Sequence, residues 1–245
     1  MLRQAEINRI PQVVGTNVFI LDDALEQNLF AELLRSFPRD SMAREDVHKK
    51  VALNKYNTSE MEQFLSKNTA WKSFVEYFNS ADFLFFLNRL NDNNNDAHRD
   101  FCKDEINIGY EFSILKNDSQ VVPHKDKYGK LYSFVFYFVD KRWECENSYG
   151  GTQFYKPKNR LLNLKFFNGE STFQSMELQY EVEPRSNRLM IFQPNEMSWH
   201  GVDPIKTEDT CGRPAFIVTV HRRETISERF MNLLSPITGR VQRFL

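Results

Sequence analysis

At Ile106 the chain changes period. Ile106, Ile108, Tyr110, Phe112 and Ile114 alternate with Asn107, Gly109, Glu111 and Ser113, the two-residue repeat of a strand with one buried face. Upstream the repeat is helical: Met61, Phe64, Leu65, then Trp71, Phe74, Val75, Phe78, then Phe83, Phe85, Phe86, Leu90. This predicts two or three helices, broken near Asn68 and Ser80. Leu131 to Val139 (LYSFVFYFV) is apolar on both faces, as in a strand buried on both sides. Further strands are expected near 152–156, 161–167, 177–183, 188–193 and 214–221, separated by Gly-, Asn- and Pro-rich turns. Short strands at this spacing form a sandwich, jelly roll or barrel. At the front, Phe19-Ile20-Leu21 reads as a strand. A helix from Leu25 to Phe37 follows, capped by Asp22 or Asp23 and stopped by Pro38. Residues 39–58 are charged, with room for an edge strand, and Glu224 to Leu234 has the pattern of a short helix. The expected organisation is one domain over residues 1–245: a helical support region (1–104), a β core (105–222) and a tail (223–245).

Composition narrows the function classes. The 22 Phe among 245 residues call for a thick apolar interior. A formal net charge of -1 gives no support for a nucleic-acid partner held by bulk electrostatics. No apolar run approaches the ~18 residues of a membrane span. Met1 to Gly15 lacks a basic segment followed by an apolar core, so no secretory leader is expected. Cys102, Cys145 and Cys211 are too scattered for a disulfide framework or a CxxC zinc site. The expected setting is cytoplasmic, with reduced thiols.

Chemistry has few places to reside. Of five histidines, His124 stands in Pro123-His124-Lys125-Asp126. Residues two apart on a strand share a face, so His124 and Asp126 can meet one ion. His200, in Ser198-Trp199-His200-Gly201-Val202, ends a strand-and-turn segment. Arg213 opens the apolar strand Pro214 to Val220, on the face of Ala215, Ile217 and Thr219. Taken singly, each piece fits a structural role: a turn, a satisfied core histidine, a solvated strand end. Together, two histidines and a carboxylate leave about three open positions on an octahedral ion, the arrangement typical of non-haem Fe(II) oxygenases. Zinc hydrolases also use such ligands, with one open position for water. Arg213, a guanidinium shaped to grip a carboxylate, favours the first.

In this order the pieces resemble the Fe(II)/2-oxoglutarate-dependent oxygenases, in particular their prolyl-hydroxylase-like branch, over about residues 105–222. The resemblance implies a double-stranded β-helix, a cupin-like jelly roll, with N-terminal helices packed on it. It implies His124, Asp126 and His200 as iron ligands, Arg213 and Tyr137 on the distal carboxylate of 2-oxoglutarate, and Ser133 as a further contact. No catalytic side chain is implied beyond the iron ligands. Gly150-Gly151 is read as a tight turn beside the site. The implied cofactors are Fe(II), with 2-oxoglutarate and O2 as cosubstrates. The implied reaction hydroxylates an unactivated C–H bond, releasing succinate and carbon dioxide. Asp126 argues against halogenation, since family members that halogenate usually lack this carboxylate. The favoured substrate is a small molecule, with a protein side chain as the alternative; Lys125, Lys127 and the loop Asp140 to Glu144 are candidate contacts. The chain departs from the pattern in the 13-residue separation of His200 and Arg213 and in Ala215 and Ile217, where relatives often carry a hydroxyl. A non-catalytic jelly-roll binding protein and a zinc hydrolase are the rival readings.

Overall fold

The computed structural model describes residues 8–10, 17–39, 53–54, 58–92, 101–126, 129–140, 143, 150–159, 170–195, 197–207 and 212–223. The strands expected at 161–167, the helix expected in the tail, Cys145, Cys211 and Lys127 lie outside them.

Eight strands of the C-terminal half form two facing antiparallel layers: β4 (Ile106–Leu115), β5 (Val121–His124), β6 (Lys130–Tyr137), β7 (Thr152–Pro157), β8 (Met176–Val182), β9 (Leu189–Gln193), β10 (Trp199–Val202) and β11 (Arg213–Arg222). The larger sheet has the order β1-β2-β9-β6-β11-β4-β3, with β1 (Asn8–Ile10) and β2 (Asn17–Leu21) at one edge and β3 (Leu53–Asn54) at the other. The smaller sheet has the order β5-β10-β7-β8. The chain crosses between the sheets from β4 to β5, β5 to β6, β6 to β7, β8 to β9, β9 to β10 and β10 to β11. That is the double-stranded β-helix form of the jelly roll.

The expected two-sided burial of LYSFVFYFV is observed. Phe134, Phe136 and Phe138 join an aromatic cluster between the larger sheet and the helices, whereas Val135, Tyr137 and Val139 face the smaller sheet. Helix α1 (Gln27–Arg35) is followed by α2 (Thr58–Lys67), α3 (Thr69–Tyr77) and α4 (Ala81–Asp92). Both expected breaks occur, for a local reason. The Asn68 amide donates to the Phe64 carbonyl at 2.8 Å, ending α2. The Ser80 hydroxyl accepts from the Phe83 N–H at 3.3 Å, capping α4. Trp71, fully buried on α3, is the hub of the aromatic cluster, with ring centroids 4.8 Å from Phe112, 5.1 Å from Phe216 and 5.3 Å from Phe138.

The cap expected for α1 is different. Asp22 and Asp23 do not cap it; Glu26 precedes the helix without a side-chain cap. Asp23 takes φ 51° and accepts from the Gln27 side chain at 2.9 Å. Asp22 is instead recruited over 166 positions by Arg188, whose Nε and Nη2 reach its two oxygens at 2.6 and 2.9 Å. The neighbouring Asn187 is buried with φ 58°. Its amide accepts from Leu25 N at 3.0 Å and donates to Leu25 O at 2.9 Å. The turn before β9 thus fixes the start of the helical layer.

Asn187→Gly is expected to destabilise the protein by about 2–4 kcal/mol, because two buried Leu25 groups lose their partners. Asn187→Ala adds about 1–2 kcal/mol for a Cβ in the left-handed region. Urea midpoints of the two variants check both values. A second expectation concerns pH. The hydrogen bond from Arg188 holds the Asp22 carboxyl below its ordinary value. The stabilisation is therefore complete above the unfolded Asp value and fades as pH falls through the lower folded one. The difference in melting temperature between wild type and Asp22→Asn should shrink below about pH 4.

Candidate metal centre and its anion pocket

His124 ends β5, His200 lies in β10, and the two are direct partners across that antiparallel pair. Directly opposed residues point to the same face, and the ring centroids are 4.3 Å apart. The strands approach closely here because residue 201 is glycine: a Cβ on Gly201 would lie 2.5 Å from the Val121 carbonyl. Two residues beyond His124, Asp126 joins them, and one ligand atom from each of the three lies within 4.8 Å of the others.

The protonation pattern suits a cation. Each imidazole has its Nδ1 3.0 Å from a carbonyl, Val122 for His124 and Ser198 for His200. A carbonyl only accepts, so each Nδ1 carries the proton and each Nε2 presents its lone pair. Burial, assisted by His124, lowers His200 to about 4, so it is neutral at ordinary pH. Phe192 packs on its ring at 4.8 Å. Burial pushes the Asp126 carboxyl up, but neighbouring His200, Lys130 and His124 outweigh it and hold it at about 2. With His200 neutral, the cation beside the carboxylate is Lys130, whose Nζ donates to Oδ1 at 2.6 Å. The other oxygen, Oδ2, is buried without a hydrogen-bond partner among the described residues and lies 3.7 Å from His200 Nε2. Two imidazoles and an orphaned carboxylate oxygen are gathered in one place, and this donor set fits a divalent ion with open positions.

Arg213 is 3% exposed at the start of β11. It donates to the Gly150 carbonyl and stacks 5.4 Å from the Tyr137 ring, while its Nε has no hydrogen-bond partner among the described residues. Burial pulls the guanidinium below its ordinary value, and among the described residues no carboxylate forms an ion pair with it. A buried cation without an anion is costly, so this position suits an anionic ligand. Tyr137 lies beside it, its hydroxyl 2.8 Å from Thr152 Oγ1. Ser133 lies on the same face of β6, 2% exposed, its hydroxyl without a partner among the described residues. Gly150 has φ 85°, as a tight turn requires.

The sequence reading missed Lys130, Thr152 and the Gly150 carbonyl. Thr152 carried no signal; Lys130 is one of many lysines near charged residues. Two expectations are corrected. Lys125 is not a surface lysine beside His124 and Asp126: it is 7% exposed, with Nζ 5.5 Å from the Trp199 ring. Trp143 does not lie in a solvated turn; it is 2% exposed in the apolar cluster between the sheets, its backbone N–H donating to Asp140 Oδ1 at 3.1 Å.

Among the described residues no helix is long and apolar enough to cross a membrane. No curated protein matches the sequence. Solved structures similar to the chain include a prolyl hydroxylase from Trichoplax adhaerens in complex with a hypoxia inducible factor oxygen degradation domain peptide. It is 11% identical with TM-score 0.46, over 89% of this chain and 86% of that one. A Pseudomonas putida prolyl-4-hydroxylase is 14% identical with TM-score 0.47, over 86% and 95%. HygX from Streptomyces hygroscopicus with nickel and 2-oxoglutarate bound is 12% identical with TM-score 0.46, over 84% and 82%. The family model of the 2OG-Fe(II) oxygenase superfamily matches residues 85–220. Matched over more than half its length, and folded as a double-stranded β-helix, the chain belongs to the 2OG-Fe(II) oxygenase superfamily: it is a 2-oxoglutarate-dependent non-haem iron dioxygenase whose cofactors are Fe(II), 2-oxoglutarate and O2.

Proposed function

We propose that the protein hydroxylates an unactivated C–H bond of a small molecule, with His124, Asp126 and His200 as iron ligands and Arg213 and Tyr137 as the seat of the distal carboxylate of 2-oxoglutarate. The observation that carries this reading is the convergence of His124, Asp126 and His200, one ligand atom from each within 4.8 Å of the others, with Asp126 Oδ2 left without a hydrogen-bond partner among the described residues. When bound, ferrous ion and 2-oxoglutarate supply the oxidative chemistry, in which O2 and the keto acid are consumed and succinate and carbon dioxide released. The protein supplies geometry and exclusion of water. Each carbonyl-held Nδ1 fixes its imidazole in the tautomer that can ligate. Arg213 offers a charge-assisted grip on a carboxylate and Tyr137 a hydroxyl beside it, which Thr152 holds at 2.8 Å until the ligand arrives. Ser133 offers a further donor on the same face of β6. The carboxylate of Asp126 takes a position that a halide would need, which favours hydroxylation over halogenation. The prolyl-hydroxylase-like arrangement of the motifs leaves a peptide side chain as the alternative substrate, and a screen for substrates that raise succinate release separates the two.

Anaerobic addition of Fe(II) and 2-oxoglutarate should produce the weak visible charge-transfer band of the family's ternary complex. Replacing His124, Asp126 or His200 by Ala should abolish the band and turnover while the far-UV circular dichroism keeps its form. A wild type that binds neither reagent would end the reading. Arg213→Ala should raise the 2-oxoglutarate requirement about 10- to 150-fold, the equivalent of the ~1.5–3 kcal/mol of a charge-assisted pair. Unchanged use of 2-oxoglutarate by that variant would remove Arg213 from the anchor role.

A further inference from the structure

Lys130 stands where strand alternation alone would not put it. On β6 the even positions Phe134 and Phe136 pack toward the helices, and the odd positions Val135 and Tyr137 face the smaller sheet. Extending that pattern backward would send Tyr132 and Lys130 into the aromatic cluster. Tyr132 does go there, but Lys130 does not. The pairing with β11 slips at this point: Val220 lies opposite Tyr132, and His221 opposite Lys130. One extra residue on β6, Leu131, is thereby accommodated in a bulge, and Leu131 packs against the helical cluster on the same side as Tyr132. A bulge of this kind re-aims the next side chain. Lys130 therefore emerges on the inner face and reaches Asp126 Oδ1 at 2.6 Å, with the two side chains only 16% and 9% exposed. The bulge is anchored by its neighbour: Gly129 has φ 86°, and its carbonyl accepts from Arg222 N at 2.7 Å.

We propose that Lys130 is a positioning residue for the metal: it holds one oxygen of Asp126 so that the other faces the two imidazoles. The inference rests on the iron-ligand reading of Asp126. The terminal torsion of an Asp is broad and roughly two-fold, so an untethered carboxylate can offer either oxygen, or both, to an ion. A donor on Oδ1 alone breaks that symmetry. It selects Oδ2, the atom left without a partner, and favours single-oxygen ligation, which leaves a further position on the ion open.

The test is anaerobic titration of the metal-free, full-length protein with Co(II), whose visible absorption reports both affinity and coordination. Lys130→Met should weaken Co(II) binding about 10- to 100-fold, as loss of a partner behind a metal ligand does, and should shift the absorption bands. Lys130→Arg, which keeps a cationic donor, should recover part of the affinity. Lys130→Leu, which likewise removes the donor, serves the same comparison if the Met variant is insoluble. A variant with a lowered melting temperature but wild-type Co(II) affinity and spectrum would overturn the proposal and leave Lys130 a structural residue. A wild type that takes up no Co(II) would instead defeat the iron-ligand reading, and this inference with it.

Discussion

The site depends on the antiparallel contact between β5 and β10. His124 and His200 are far apart in the chain, and only their opposition across this pair puts two imidazoles 4.3 Å apart on one face. The contact is tight enough to exclude a Cβ at position 201, and its register slips between His200 and Val202, where β5 carries Pro123. A proline brings no N–H to a ladder, so a strand that contains one tolerates such an irregularity without an orphaned donor. The result is a short strand that ends at His124 and releases the chain at once toward Asp126.

Around that contact the larger sheet acts as a stiff wall. It is buried on both faces, by the smaller sheet on one side and by the helices on the other. The many phenylalanines are explained by this arrangement: alternate residues of β6, β9 and β11 need apolar partners in both directions. Because the sheet is held from behind by Trp71 and its neighbours, the direction of Tyr137, Ser133 and Arg213 is decided by strand register.

Three interior cations, Arg188 and Arg213 buried and Lys130 partly so, show how differently the fold treats charge. Arg188 is satisfied by both oxygens of Asp22 and by the Glu183 carbonyl, and it joins the helical layer to the sheet. Lys130 is satisfied by one oxygen of a carboxylate whose other oxygen is left over. Among the described residues Arg213 has a carbonyl and an aromatic face, with Nε left without a hydrogen-bond partner. The degree of internal satisfaction falls in that order, and the openness to an outside ligand rises with it. Burying an ion is favourable only when its remaining hydrogen-bonding capacity is met, so the unmet part marks where ligands belong.

Much of this was legible in the chain. The change of period at Ile106, the two-sided apolar run and the breaks at Asn68 and Ser80 express local rules of alternation, burial and capping. The His124, Asp126, His200 and Arg213 set was legible because histidines are scarce in this chain and the motifs follow one another in a set order. The α1 cap was misread because Asp22 has a better partner 166 positions away, which no local rule contains. Lys125 and Trp143 were misread because the exposure of a side chain depends on what packs over it. Lys130 was missed because one inserted residue, Leu131, reverses the face of everything before it on the strand, and that bulge exists only through pairing with β11. The sequence by itself determined which elements form and which side chains can carry charge or bind an ion, since these follow from short-range sterics and chemistry. Only the tertiary structure decided which of them meet, since that depends on strand register, and register is a property of two segments brought together, written in neither alone.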